Sequence, residues 1–318
     1  MKLGFLKHTL AGAAMIASTS IAYAQDWTPS GPIKMMIPFQ AGGGVDTMGR
    51  LLAEELGNRH GWEIIPENVP GKGGATMANK LKDEPADGLS FAIGISEIVA
   101  YSMRASRDPG FTRDDFDYIS SLTGSQMGIV AKPDRGWKNL GDVIAAAKAG
   151  EEISFGLLSQ KHADLAYLLG KSNGIEFGTV VVRGGKGGVN GVLADDIDIA
   201  WAGGVQAASV RSGDLINLVS GEAEPLIVSP DAPLISEYGL PYVVGSKFLV
   251  MAPANLPDDV SNAYMTSIAD ILNDPESKVS VFLTRAFSGP EVLQGADLRA
   301  YIDELYEDAG ALLEASSQ

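Results

Sequence analysis

Ile33-Lys34-Met35-Met36-Ile37-Pro38-Phe39-Gln40-Ala41-Gly42-Gly43-Gly44-Val45-Asp46 runs from a β-rich stretch into a triple glycine, and an amphipathic segment, Thr47 to Leu56, follows. A strand that feeds a glycine turn and then a helix is the opening of a βαβ unit. Unpaired backbone N–H groups and the positive end of the helix dipole converge at the strand's carboxyl end, so the turn is a candidate anion cradle. The arrangement recurs twice. Asn68-Val69-Pro70-Gly71-Lys72-Gly73-Gly74-Ala75 follows a strand expected at Trp62 to Ile65, and Arg183-Gly184-Gly185-Lys186-Gly187-Gly188 follows one expected at Thr179 to Val182. In open parallel sheets the carboxyl ends of strands border the ligand crevice, so all three glycine loops are expected to meet there. Each has a plainer reading as a tight strand-to-helix turn.

Around these loops, strands and helices alternate. Ala75 to Leu81 reads as a helix and Leu89 to Ile95 as a third strand, completing a βαβαβ start before a mixed segment. A second α/β unit has strands at Ser154 to Leu157, Thr179 to Val182, Ile197 to Trp201 and Leu215 to Ser220, with helices at Ser159 to Lys171, near Gly188 to Leu193 and near Val205 to Arg211. Between the units lie Gln126 to Ala131 and Lys247 to Ala252, apolar strands ending in Lys-Pro and Ala-Pro, which read as two crossings between lobes. Beyond Pro253 the chain turns helical, at Val260 to Leu272 and Asp297 to Leu313. Two crossings make the first lobe discontinuous, 25–125 with 246–318, around a second lobe at 126–245. Such a layout suits a hinged, two-lobed α/β molecule.

Composition narrows the function. Lys plus Arg total 24 against 40 Asp plus Glu, a net charge of -16 over 318 residues, which excludes a nucleic-acid backbone as partner. With no cysteine, disulfides, zinc thiolate sites and Cys nucleophiles are impossible. Residues 1–24 carry Lys2 and Lys7, an apolar run from Leu10 to Ala22, and Ala22-Tyr23-Ala24 as a small-x-small site. They read as a secretory signal peptide cleaved after Ala24, since Ser18, Thr19 and Ser20 interrupt a run already too short to span a membrane. The expected product is exported, to the periplasm.

Named motifs fail on inspection. Lys72 precedes Gly73 rather than Ser or Thr, and Pro66 stands where the first glycine of a phosphate loop belongs. Thr47, Thr76 and Asn190 replace the third glycine of the dinucleotide fingerprint, so no cofactor is expected. There is no G-x-S-x-G elbow or His-Glu-x-x-His, and only His60 and His162 lie beyond the leader. Candidate ligand contacts remain. Arg183, at a strand end, offers a planar fork for a carboxylate, or else lies along the surface. Ser159 and His162 open a helix near free N–H groups, with helix capping as the alternative. Asp46 sits in a first helical turn, where it either meets the helix dipole or holds the loop or ligand. Phe39 and Trp201 are candidate apolar walls, core packing being the alternative for each, and Gly203 follows Trp201.

The motifs Pro-Phe-x-x-Gly-Gly-Gly-x-Asp, Asn68-x-Pro70-Gly71-x-Gly73-Gly74 and Asp87-Gly88, with Ser159-x-x-His162, Gly239-Leu240-Pro241 and Ala252-Pro253, resemble those of the tripartite tricarboxylate transporter substrate-binding proteins, the TctC-like or Bug receptors. The resemblance runs from about Trp27 to the C-terminus. It implies a periplasmic binding protein of the type II, Venus flytrap kind, a monomer that closes on a small organic carboxylate and delivers it to membrane permease subunits. It further implies that the first lobe's loops, Phe39, Gln40, Ala41, Gly42, Gly43, Gly44 and Asp46 with Pro70, Gly71, Lys72, Gly73 and Gly74, hold one carboxylate through backbone N–H groups and ordered water. Such receptors usually carry Tyr-Lys-Gly after the second strand of the second lobe. Here Arg183-Gly184-Gly185 stands instead, which implies a different ligand or a second carboxylate met by Arg183. The overall acidity does not oppose an anion, because at about 0.15 M salt charges farther than roughly 8 Å are screened. Two other readings use the same cleft: a secreted hydrolase or isomerase of a carboxylated substrate, and a ligand receptor for a sensor protein.

Overall fold

The computed structural model describes residues 27–317; the expected leader lies outside the described residues. From the N-terminal side come β1 (Ile33–Ile37), α1 (Gly44–His60), β2 (Ile64–Asn68), α2 (Ala75–Lys82), β3 (Ser90–Ile95), α3 (Tyr101–Ala105) and β4 (Phe116–Gly124). The middle supplies β5 (Met127–Ala131), α4 (Leu140–Lys148), β6 (Ser154–Leu157), α5 (Gln160–Asn173), β7 (Gly178–Val181), α6 (Gly184–Leu193), β8 (Ile199–Gly203), α7 (Ala207–Ser212) and β9 (Ile216–Ser220). The chain then returns through β10 (Lys247–Pro253) to α8 (Asp258–Asn273), α9 (Lys278–Ala286) and α10 (Gly295–Ser316). One sheet has the order β2-β1-β3-β10-β4 and the other β7-β6-β8-β5-β9. The two share one plan: three parallel strands, then an antiparallel strand entering from the other lobe, then an edge strand. The fold is α/β and two-lobed.

The strands in the sheet interiors are largely apolar because helices cover both faces. Side chains alternate across the pleat. Ile33, Met35 and Ile37 pack with Leu52 and Leu56 of α1 and Ile268 and Ile271 of α8. Met36, between them, points the other way, into a cluster with Met77 and Leu81 of α2 and Leu298 and Ile302 of α10. The second strand lies later than expected, at Ile64–Asn68, and holds Pro66 because β2 is an edge strand. Trp62 leaves the strand for the core, edge-on to Trp27 and Tyr264 at centroid distances of 5.6 and 5.4 Å. The mixed segment after β3 contains α3 and the long strand β4, and α4 and α9 are additions to the sequence reading. Among the described residues no helix is long and apolar enough to cross a membrane.

The stretches expected as crossings are sheet strands, β5 and β10, and the crossings are the short links that precede them. At the links, Ser125 N–H donates to Ser246 O at 2.9 Å, and Ser246 N–H donates to Ser125 Oγ at 2.9 Å. Glu222 Oε1 accepts from Ser125 Oγ at 2.9 Å and Met127 N–H at 2.6 Å. Lys161 of α5 donates from Nζ to Val244 O at 2.9 Å and Gly245 O at 3.3 Å. Burial pushes the Glu222 carboxyl up and the Lys161 ammonium down from their ordinary ranges. The last helix straps the two lobes together: Leu298 and Ile302 pack in the first, Ala309 and Leu312 in the second.

A Cβ on Gly245 would land on the Glu222 carboxylate, which its two hydrogen bonds hold in place. Gly245→Ala should therefore cost about 1–3 kcal/mol of stability. Urea unfolding with an unchanged m-value checks this, and an unshifted midpoint would mean that the crossing yields freely.

Candidate functional site

β1 and β2 are parallel and end in register, Ile37 beside Asn68, so the first two glycine segments leave the sheet side by side. Asp46, in the first turn of α1, is 3% exposed and organises both. Its Oδ2 accepts Gly42 N–H at 2.8 Å, and its Oδ1 accepts Arg50 Nε at 3.0 Å and Asn68 Nδ2 at 2.9 Å. Asn68 Nδ2 also reaches Phe39 O at 2.9 Å. Burial works against the charged carboxyl, but the bonds from Arg50, Gly42 and Asn68 outweigh it and hold its pKa below the usual 3.8. Asp46 thus holds the loop, and its charge is spent internally. Helix geometry leaves the first-turn N–H groups of Gly44 and Val45 without intrahelical acceptors, and Gln40, Ala41 and Gly42 are exposed around them.

The second segment is a left-handed run: Gly71, Lys72, Gly73 and Gly74 have φ of 139°, 47°, 62° and 101°. Gly71 and Gly74 are required twice over, because a Cβ would also strike Thr76 at the first and Ile98 at the second. Lys72 has no such excuse and is held at positive φ by its neighbours, its side chain exposed with Pro70 beside it. Ser102 approaches Gly73, a neighbour that no motif in the sequence announced.

The third segment is not a loop. Gly184 to Gly188 lie in the first turns of α6, which begins four residues before the helix expected near Gly188, and Arg183 is its N-cap. Arg183 is exposed, and its guanidinium meets no protein partner among the described residues. Val205, also unannounced, sits between the lobes: Cβ atoms built on Gly44 and Gly185 would meet its methyls at 3.7 and 3.0 Å. The N-termini of α1 and α6 are therefore one valine apart. Across the same seam Gly204, just after Gly203, lies against Phe287, and Arg211 Nη1 donates to Arg285 O at 2.7 Å.

Trp201 does not wall this seam. It is 0% exposed, its ring tilted against Phe155 at 5.2 Å in the second lobe's core, because β8 is an interior strand covered on both faces. Phe39 is half-buried against the first lobe's core. Ser159 is the N-cap of α5, but its hydroxyl pairs with His162 Nδ1 at 2.8 Å instead of capping the helix. His162 is 4% exposed, and its Nε2, like Trp201 Nε1, is buried without a partner. Their rings lie 5.7 Å apart, so two unsatisfied nitrogens share one region behind the α5 N-terminus.

Comparison with known proteins gives a consistent result. Residues 48–317 match the family model described as the tripartite tricarboxylate transporter family receptor. Protein BugT of Bordetella pertussis is 28% identical over 319 residues, covering 95% of each chain. Among solved structures, R. palustris Rpa4515 with adipate aligns with a TM-score of 0.80 at 20% identity, over 91% of this chain and 98% of that one. MatC from Rhodopseudomonas palustris with bound malate aligns with a TM-score of 0.75 at 19% identity, over 91% and 100%. At such identities the structural likeness shows the fold, that of periplasmic binding proteins.

Burial pushes the His162 imidazole down from 6.5 to about 4. Between those values the unfolded chain binds the proton and the folded protein does not, so stability falls as pH drops from about 6.5 toward 4. Urea unfolding at pH 7 and pH 4.5 should show wild type losing about 2–3 kcal/mol more than His162→Gln. Equal losses in the two proteins would place the histidine in contact with water.

Proposed function

The chain belongs to the tripartite tricarboxylate transporter family of receptors, and on that premise we propose that it binds a small organic carboxylate between its lobes and delivers it to membrane permease subunits. The family is one of substrate-binding receptors, not enzymes, so the cleft serves capture and release. The observation that carries the ligand class is the paired glycine segments at the ends of β1 and β2. They present backbone N–H donors at a helix N-terminus, while the one acid among them, Asp46, is neutralised by Arg50 and turned inward. An anion approaching the loop therefore meets donors and no free carboxylate. Arg183, exposed at the N-terminus of α6 and free of protein partners among the described residues, supplies a second point of attachment from the other lobe. The ligand suited to that pair carries two carboxylates or more. The malate and adipate of the related structures belong to this class. The leader reading puts the exported receptor in the periplasm, acting as a monomer.

A thermal-shift screen of mono-, di- and tricarboxylates, aromatic acids, amino acids and sugars should raise the melting temperature with di- or tricarboxylates first. A response confined to non-acids would overturn the ligand class. With the best ligand, Gly73→Leu should abolish binding, because a side chain there fills the cradle and strains a positive φ. Arg183→Ala should weaken a dicarboxylate about tenfold or more and a monocarboxylate little. Equal loss for both would remove Arg183 from the second attachment point.

A further inference from the structure

On the hinge side of the molecule, α3, α5, α10 and the 241–243 segment enclose a cavity of about 220 Å³. Its walls come from both lobes: Glu97, Tyr101 and Leu305 from one, Lys161 and Tyr242 from the other. Glu97 is 5% exposed, yet its carboxylate accepts no hydrogen bond and forms no ion pair among the described residues. Its polar neighbours bond elsewhere. Lys161 donates to Val244 O and Gly245 O, and the Tyr101 hydroxyl donates to Asp164. Asp308 adds a second acid at the exposed end of the cavity.

The Glu97 carboxylate faces open space lined mainly by apolar and aromatic side chains. We propose that this cavity is a second ligand site, for a small alkylammonium ion whose charged head is received by Glu97 and whose chain lies against Tyr101, Tyr242 and Leu305. The aromatic faces favour the cation further. An anion is disfavoured, because two carboxylates line the cavity against one ammonium, two of whose three donors are held by backbone carbonyls. A bare metal ion is refused as well, since the described residues hold no cluster of three acidic or histidine ligands. Because both lobes contribute walls, the bound ion stabilises the lobe arrangement that encloses it.

The test is calorimetric titration of the purified protein with n-butylammonium chloride, at fixed total chloride and without any carboxylate, so that failure of the cleft reading leaves the outcome unaffected. Sodium chloride and n-butanol serve as charge and chain controls. Saturable binding by wild type, weakened about tenfold or more in Glu97→Gln and lost in Leu305→Trp, which fills the cavity, is the expected result. Absence of saturable binding to wild type overturns the proposal, and so does equal affinity in Glu97→Gln, which keeps the side-chain shape and whose fold is checked by circular dichroism. Should Leu305→Trp unfold, the Glu97→Gln comparison decides alone.

Discussion

Two strands of chain pass between the lobes, and the hydrogen bonds that join them at Ser125, Ser246 and Glu222 are the constraint on which the remainder depends. Each crossing delivers its strand antiparallel into the far sheet, so the links set how β5 and β10 enter. A residue at such a link cannot rely on water for its polar groups, because the strands on either side are buried. Glu222 and Lys161 meet that demand from the second lobe, one as acceptor for N–H and O–H, the other as donor to two carbonyls. Both ionisable groups are buried against their natural tendency, which the bonds to the backbone offset. The strap of α10 lies over the same region, so the hinge is flanked by apolar packing as well as by polar bonds.

Asp46 repeats the device at the first glycine loop. A chain with 40 acidic residues and 24 basic ones has acids to spare, but only a few are turned inward to hold the backbone in a shape the sheet does not dictate. The buried carboxylate, fixed by Arg50, Asn68 and Gly42, ties the end of β1 to the end of β2. What remains outside is unsatisfied N–H at a helix end, the feature on which the proposed anion contact of an acidic protein rests.

Three glycine segments that read alike became two different things. At 39–46 and 70–74 the glycines take the backbone round a turn, in the second case through four consecutive left-handed residues. At 184–188 they are mostly helical, and their small size lets α6 approach Val205 and β8 closely. Glycine composition cannot separate these cases, because it signals both freedom of φ and absence of a Cβ. Trp201 was equally ambiguous: an aromatic near a strand end reads as a wall or as core, and its neighbours across β6 and β5 decide for core.

The alternation of strand and helix, the return of the chain after 245 and the first two loops were legible in the order of residues, since local periodicity and turn chemistry act over a few positions. So was β1. The placement of β4, α4 and α9, the choice between the two readings of Asp46, the role of Glu222, and the nearness of Val205, Phe287 and Ser102 to the glycine turns were not. Each depends on a partner many positions away, Asn68 for Asp46 and Ser125 for Glu222, and no local pattern records a contact that forms only when two sheets and a hinge have been assembled.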